Sequence, residues 1–475
     1  MISAIEAFAT AISSVLFYEI FGIPFLVAWF VCGALFFTFR LGFINIRLIP
    51  HALELCFKNT YVEDAPGEIT SRQAFASAVS ATVGLGNISG VAVAVGMGGP
   101  GAVIWMTIAG FFAMSLKFAE VTLAHKYRYL SPQGKVRGGG FYFLTNSLQN
   151  KPYVLLGTGL AGMFALFCIL GSLGGGNMFQ ANQAVKMMVH SFGLTSNPDT
   201  LTYVLTGLLT LMVGVTLIGG IKRIAKVASI LVPIMTVIYL FSAGIVLMVH
   251  IAQIPHAFFQ MLALAFDWQA AGGGVVGTVA IGLQRASFSN EAGLGSAPIA
   301  HSVTKTNEPV REGCVALLEP FIDTMVICLI TGLLITVTGV YHDSSLEGVV
   351  MTSRAFETVF PWFPVVLSLC VVLFAFSTII TWSYYGESAF CYLFGEKNIR
   401  VFHLLYCGAT FFGGIATLNL VVKLSDLFML SMGIPNLISL YILSSELKRD
   451  LDSYFDRLRT GQFVTAKVPS QPPGV

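Results

Sequence analysis

Apolar stretches long enough to cross a bilayer recur along this chain from about residue 15 to about residue 444, with no long polar gap between them. A helix rises about 1.5 Å per residue, so a span of the hydrocarbon core takes about 20 mostly apolar residues. That ruler gives eleven segments: 15–38, 74–96, 102–124, 153–186, 201–220, 228–249, 275–300, 313–338, 363–388, 401–418 and 422–444. Only 11% of the 475 residues are charged and 55% are hydrophobic, whereas a soluble domain carries about a quarter charged residues. So few charges cannot cover a water-facing surface. The chain therefore reads as an all-α polytopic membrane protein whose surroundings are the lipid bilayer. A formal net charge of +2 with no clustered basic face gives no nucleic-acid surface. The 8 cysteines are scattered without metal-ligand or disulfide spacing, and Cys32, Cys168, Cys328 and Cys370 fall inside apolar stretches as small packing residues. The opening MISAIEAFATAISSVLFYEI lacks a basic leader and a small-residue cleavage pattern, so it reads as retained protein.

Lysine and arginine give the orientation, because they concentrate in cytoplasmic loops. With the N-terminus outside and the C-terminus inside, the cytoplasmic segments hold 21 of the 26 basic residues, from Arg40, Arg47, Lys58 and Arg72 through Lys126, Arg128, Lys135, Arg137 and Lys151 to Lys448, Arg449, Arg457, Arg459 and Lys467. The external segments keep Lys186 and Arg354, while Lys117, Arg285 and Lys423 fall within spans. The loops are short and contain no GxxxxGK[ST] phosphate loop, so transport by this chain would draw on an ion gradient. The tail from about 445 begins charged, ends SQPPGV and reads as disordered.

Two spans carry an unusual cluster of small and polar residues. The second holds Gly84, Gly86 and Gly90 around Asn87; the seventh holds Ser287, Ser289, Asn290, Glu291, Gly293, Gly295, Ser296 and Pro298. Glycine weakens a helix, and hydroxyl and amide side chains let the freed backbone find partners, so each cluster reads as a break in a membrane helix. The alternative is close helix packing, for which small residues are also used. The two breaks fall first and sixth in the ten spans that follow the peripheral segment 15–38. Five is odd, so spans two to six and seven to eleven enter the bilayer from opposite sides. That is the 5+5 inverted repeat on which alternating access around a midplane site is commonly built. The organisation follows: 1–73 with the peripheral first helix and a basic loop, 74–249 as the first repeat, 250–444 as the second and 445–475 as the tail.

Glu291 is a carboxylate inside a span, so it must face the interior, a vestibule or a partner such as Arg285. It could ligate an ion, set a gate, carry a proton or be paired structurally. Glu120 with Lys117, and Glu319 with Asp323, lie nearer helix ends, where snorkelling or pairing suffices. In the ninth span Ser377 and Thr378 offer adjacent hydroxyls and Trp382 lies one turn on. Hydroxyls with carbonyls freed by a helix break suit a hard cation, although such hydroxyls also bond back to their own helix. In the fourth span Asn177 or Gln180 could bond a small polar ligand, and Asn182 could stabilise an exposed helix end.

At these residues the sequence resembles the sodium:alanine (or glycine) symporter family, over essentially its whole length. The resemblance is carried by VGLGNISGVAVAVGMGGPGAVIWM (83–106), GGGFYFL (138–144), GNMFQAN (176–182), SNEAGLGSAPIAHS (289–302) and FAFSTIITWSYYGE (374–387). The chain departs from the usual pattern after Trp105, where Met106 and Thr107 precede no second tryptophan, and in lacking a proline in the second motif. The resemblance implies a leucine-transporter fold with one added N-terminal helix, acting as a monomer. It also implies Na+ co-transport of a small neutral amino acid such as alanine, glycine, serine or D-alanine across the plasma membrane, a bacterial inner membrane by family habit. Carried over by motif, the backbone amides around Gly84 to Gly90, Gly86 among them, would hold the substrate carboxylate, with Thr82 and Asn87 lining the cavity. Phe288, Asn290 and Gly293 would contribute from the seventh span, Gln180 from the fourth, and Thr378 and Trp382 from the ninth. Sodium would sit between the second span and Ser377 and Thr378. Proton coupling through Glu291 and an ion channel are the alternatives. An enzyme is not, for want of a nucleophile and base pair or a metal cluster.

Overall fold

The apolar segments fold as helices in the computed structural model, which describes residues 14–462 apart from 15, 21, 58–64, 131–135, 149–153, 193–197, 218–219 and 268–273. Lys58, Lys135, Lys151 and Lys467 lie outside the described residues. The first apolar helix is α1 (Phe25–Arg40), and the second span is a broken pair, α2 (Ser71–Thr82) and α3 (Val91–Gly98), with the widened turn Gly86–Gly90 between them. Then come α4 (Gly101–Lys126), α5 (Val154–Leu173) continuing through Gly174–Met178 into α6 (Phe179–Phe192), α7 (Pro198–Thr216) and α8 (Gly220–Val249). The second half continues with α9 (Gly274–Asn290), a break at 291–296, the short α10 (Ala297–His301), then α11 (Pro309–Ala316) leading through Phe321–Cys328 into α12 (Leu329–Thr338). Three long elements follow, α13 (Phe363–Phe394), α14 (Ile399–Ile415) and the α15–α16 pair (Leu418–Ser431, Gly433–Arg459).

Among the described residues six helical stretches are long and apolar enough to cross a membrane, and up to eight if each of two bent pairs counts as one; the pair α2 and Gly86–Gly98 bends by 44°. α2 starts where Thr70 caps it, its hydroxyl accepting from Gln73 N while Gln73 returns a bond to the Thr70 backbone, a reciprocal cap that fixes a helix start. Large apolar side chains such as Leu211, Val237 and Leu404 stand exposed on the outer helices, as expected of a surface whose solvent is hydrocarbon.

Two expectations need correction. The segment after 445 is helical to Arg459, because Leu447, Leu451 and Tyr454 form a buried stripe on α16 and Arg457 grips Glu308 with two bonds of 2.6 and 2.8 Å. Of the two alternatives for the charges near helix ends, snorkelling fails and pairing holds for Lys117 and Glu120, which lie 3.4 Å apart; Glu319 and Asp323, also fully buried, bond other residues instead of each other. Hydropathy prices a charge by its depth in a span. It carries no information on which charges meet.

Candidate functional site

The two breaks meet at the centre of the bundle. Gly86 lies against Ser289, a Cβ at Gly86 falling 3.5 Å from Ser289 Cα, and Asp323 joins both breaks. Its carboxylate accepts from Asn87 Nδ2 at 2.7 Å and from Ser289 Oγ at 2.7 Å, and Thr324 Oγ1 adds a third bond at 2.8 Å. Asn87 Oδ1 in turn accepts from Gly84 N at 3.1 Å. The unwound backbone thus has its partners inside the protein, as low dielectric requires.

Gln180 reaches the same backbone from α6, its Oε1 accepting from Leu85 N at 3.3 Å while its Nε2 donates to Gly175 O at 3.0 Å. Thr378 on α13 donates to Ser80 O at 2.9 Å, and Thr381 donates to Ser80 Oγ at 3.3 Å. Gly84 is enclosed by these residues. A Cβ there would sit 2.5 Å from Thr378 Oγ1 and 3.4 Å from Gln180 Oε1, so only glycine lets the three segments approach this closely. Ser377 bonds its own helix through Phe374 O at 2.9 Å, and Thr82 bonds Ala78 O and Val79 O at 3.3 and 3.4 Å. Both hydroxyls keep their oxygens as acceptors.

Trp382 is fully buried over Gly176, whose missing side chain leaves room for the indole. Its Nε1 donates to Glu291 Oε1 at 3.1 Å, and Ser296 Oγ donates to Glu291 Oε2 at 2.5 Å. The partner of Glu291 is therefore not Arg285. Arg285 pairs with Asp426, which also accepts from Gln284 at 2.9 Å, and its guanidinium lies 5.2 Å from the ring centre of Phe288. Phe288 meets Phe179 edge to face at 5.2 Å. Arg285 thus links Asp426 and Phe288 on the α9 side of the break.

Two expected residues stand apart from the Gly84, Gln180, Thr378 and Trp382 group. Asn290 lines an apolar crevice of about 230 Å³ beside Phe30 of α1 and Leu116 of α4, its Oδ1 accepting from Ala292 N at 3.0 Å. Gly293 donates its N–H to Glu120 Oε2 at 3.0 Å, and its carbonyl accepts from Asn436 at 2.8 Å. Asn177 and Asn182 are tied to α14 and the residue after it, by Tyr406 O at 2.8 Å for Asn177 and by Gly413 O and Ala416 O at 2.9 and 2.8 Å for Asn182. Asn182 is buried, not an exposed helix end. Sequence reasoning missed Ser80 and Asp426, and it gave Ser289 and Asp323 no role at the site. Asp323 and Asp426 carried a usable signal, each as an acidic residue inside an apolar span.

The sodium:alanine symporter family profile matches residues 3–467. The sodium/alanine symporter AgcS of Methanococcus maripaludis is 39% identical over 426 residues, covering 89% of this chain and 92% of that one. The probable sodium/glutamine symporter GlnT of Bacillus subtilis is 33% identical over 443 residues, covering 92% of this chain and 89% of that one. Among solved structures, MhsT in complex with L-phenylalanine superposes with a TM-score of 0.55 at 16% identity, over 82% of this chain and 99% of that chain. A Na+-coupled sialic acid symporter in its outward-open state gives 0.51 at 13% identity, over 90% and 98%. The chain thus has the leucine-transporter type of fold, and it belongs to the sodium:alanine symporter family.

Proposed function

We propose that this secondary active transporter couples Na+ entry to uptake of a small neutral amino acid, alanine or glycine first, by alternating access. The observation that carries the reading is the joint made by Thr378, Ser80 and the unwound Gly84–Leu85 backbone, with Gln180 on its other side. Na+ would sit at the Thr378 and Ser377 hydroxyls and the carbonyls at the end of α2, a set of neutral oxygens suited to a hard monovalent ion. The substrate carboxylate would be held by the amides of 84–87 together with that ion. Thr82 and Asn87 flank this position, Gln180 and Phe288 bound it, and Trp382 closes the space left for a side chain. Asn290 and Gly293 would enter the site only as the seventh span rearranges. A zwitterion with a neutral side chain needs no fixed charge of its own, which agrees with the absence of a charged side chain from the contacts described around Gly84.

The same reading takes eleven spans with the N-terminus outside, in two inverted five-helix repeats, 74–249 and 250–444, behind a peripheral first helix, in the plasma membrane. The Arg285–Asp426 pair then faces outward, and the end of the bundle holding His301 and Lys126 faces the cytoplasm. Na+ binding orders the second span against α13 and raises affinity for the amino acid; the amino acid raises affinity for Na+ by the same factor. The membrane potential adds about 2.3 kcal/mol per elementary charge per 100 mV.

The test is uptake of labelled alanine and glycine into proteoliposomes under an inward Na+ gradient. Concentrative, saturable uptake that disappears when choline replaces Na+ supports the reading. Uptake that survives in choline and follows an imposed pH gradient replaces it with proton coupling, and uptake that never saturates replaces it with a channel.

A further inference from the structure

The end of the bundle opposite the Arg285–Asp426 pair is closed by a chain of buried charges that the substrate site does not use. His301, the last residue of α10, stands between two carboxylates. Its Nδ1 is 2.6 Å from Glu312 Oε1 and its Nε2 is 2.6 Å from Glu319 Oε1. Ser71 Oγ at the start of α2 donates to Glu312 Oε2 at 2.6 Å. Lys117 of α4 lies 3.5 Å from Glu319 and 3.4 Å from Glu120. Glu120 holds the break in the seventh span through Gly293 N and Gly295 N at 3.0 and 3.1 Å and accepts from Asn436 at 3.1 Å. The side chains of His301, Glu312, Glu319, Lys117 and Glu120 all have no solvent exposure.

This geometry sets a proton count. A neutral imidazole carries one N–H, and a carboxylate only accepts. Two ring nitrogens each at hydrogen-bond distance from a carboxylate oxygen therefore need one proton more than a neutral ring and two ionised carboxylates supply. The extra proton rests on the ring or on one of the two carboxyl groups, shared among three residues.

The elements that carry these residues are tied to one another at this end, so opening the site here would break those ties. Residues 301–306 are pinned to the start of the second span by Glu68 N to Val303 O at 2.7 Å and Lys305 N to Ile69 O at 2.9 Å, and to Arg128 through Ser302 O, Thr304 O and Thr306 O. α4 faces His301 with Lys117, Glu120, His125 and Arg128; α11 and the turn after it present Arg311, Glu312 and Glu319; α2 begins with Ser71 and Arg72. His125 is not the carrier of the extra proton, because its Nε2 accepts from Arg128 at 2.9 Å.

We propose that His301, Glu312 and Glu319 form a proton-binding latch on the inward side, which holds one extra proton when closed and loses it to water when α10 separates from α11. The proton moves from the shared N–H···O position to bulk solvent, leaving a neutral imidazole and two carboxylates, with no other bond made or broken. It does not replace Na+ at the Thr378 joint; it is a second, separate ligand of the cycle. By linkage, each pH unit between the proton affinities of the open and closed forms changes their ratio by about tenfold, with high pH favouring the open form.

The inference rests on the Na+-coupled reading above and adds that Na+ and alanine together bind the inward-closed form more tightly than the inward-open one. The experiment uses the purified full-length protein in detergent, weakly buffered near neutral pH, with a pH-indicator dye. Binding of labelled alanine in Na+ is measured first on the same sample, and its absence would count against the transport reading and not against the latch. In protein that binds alanine, adding Na+ and alanine should draw on the order of one proton per chain from solution. His301→Gln should bind alanine and take up none. Glu312→Gln, which keeps the histidine but lets a neutral ring bridge both partners, should also take up none and serves if His301→Gln does not fold. No proton uptake by the alanine-binding wild type, or undiminished uptake in either variant, overturns the proposal.

Discussion

The indole N–H of Trp382 donates to Glu291 across 3.1 Å, from the middle of one long helix to the first residue of the break in another. Glu291 sits at φ 56°, one of the non-glycine positions with positive φ, a conformation that costs energy and persists where neighbours hold it. The bond therefore does two things. It satisfies a buried carboxylate, and it fixes the indole over Gly176 at the wall of the space proposed for the amino-acid side chain.

Trp382→Phe keeps the bulk and removes the donor. A buried acceptor left one bond short costs about 1–3 kcal/mol, so thermal stability in detergent should fall while preference for small amino acids remains. Trp382→Ala removes the wall as well. Competition against labelled alanine by a panel of amino acids should then show valine and leucine gaining potency relative to glycine, and an unchanged order would count against this placement of the indole.

Gly84→Ala should abolish alanine uptake while the protein still purifies as a folded species, because the added methyl lands 2.5 Å from the Thr378 hydroxyl and drives apart the second span and α13. Near wild-type uptake by this variant would remove Gly84 from the site.

Thr378→Ser keeps the hydroxyl and should leave the half-saturating Na+ concentration near that of wild type. Thr378→Val keeps the shape and removes the oxygen. A lost bond to a charged partner is worth about 1.5–3 kcal/mol, so the Na+ requirement should rise by roughly tenfold or more, measured as alanine uptake against Na+ at constant ionic strength. Equal Na+ dependence in Ser and Val variants would place the ion elsewhere.

Lys117→Met leaves Glu120 and Glu319 without their shared cation in a buried position. Removing one partner of a buried ion pair costs about 3–5 kcal/mol, to be read as a lowered unfolding temperature in detergent. Lys117→Met with Glu319→Gln should recover part of the loss, since the two residues touch and their effects are not additive.

The positions of the helices and of their two breaks were legible in the sequence, because apolar length and glycine clustering are local properties. Gly84, Gln180, Thr378 and Trp382 were reached through motifs; the first three gather around the first break, while Trp382 lies on Glu291 at the second. Lys117 with Glu120, three residues apart on one helix, was a legible pair, but pairings between segments were not. Arg285, six residues earlier on the same span, is one of several environments the sequence offers Glu291, yet the residue that bonds it from another helix is Trp382, 91 residues away, and Arg285 turns instead to Asp426. Lys117, Glu120 and Glu319 read as helix-end charges because depth along a span was all that could be estimated. Their burial comes from the packing of α4 against α11 and the break at 291–296, a relationship between distant segments that local patterning does not encode.

The central claim, that Na+ and a small amino acid bind to one coupled site, is tested most directly by equilibrium binding to the purified protein, with labelled alanine titrated at several Na+ concentrations and labelled Na+ titrated at several alanine concentrations. The account predicts that Na+ tightens alanine binding and that alanine tightens Na+ binding by the same factor, with both effects lost in Thr378→Val. Alanine binding of equal strength in Na+ and in choline would contradict it.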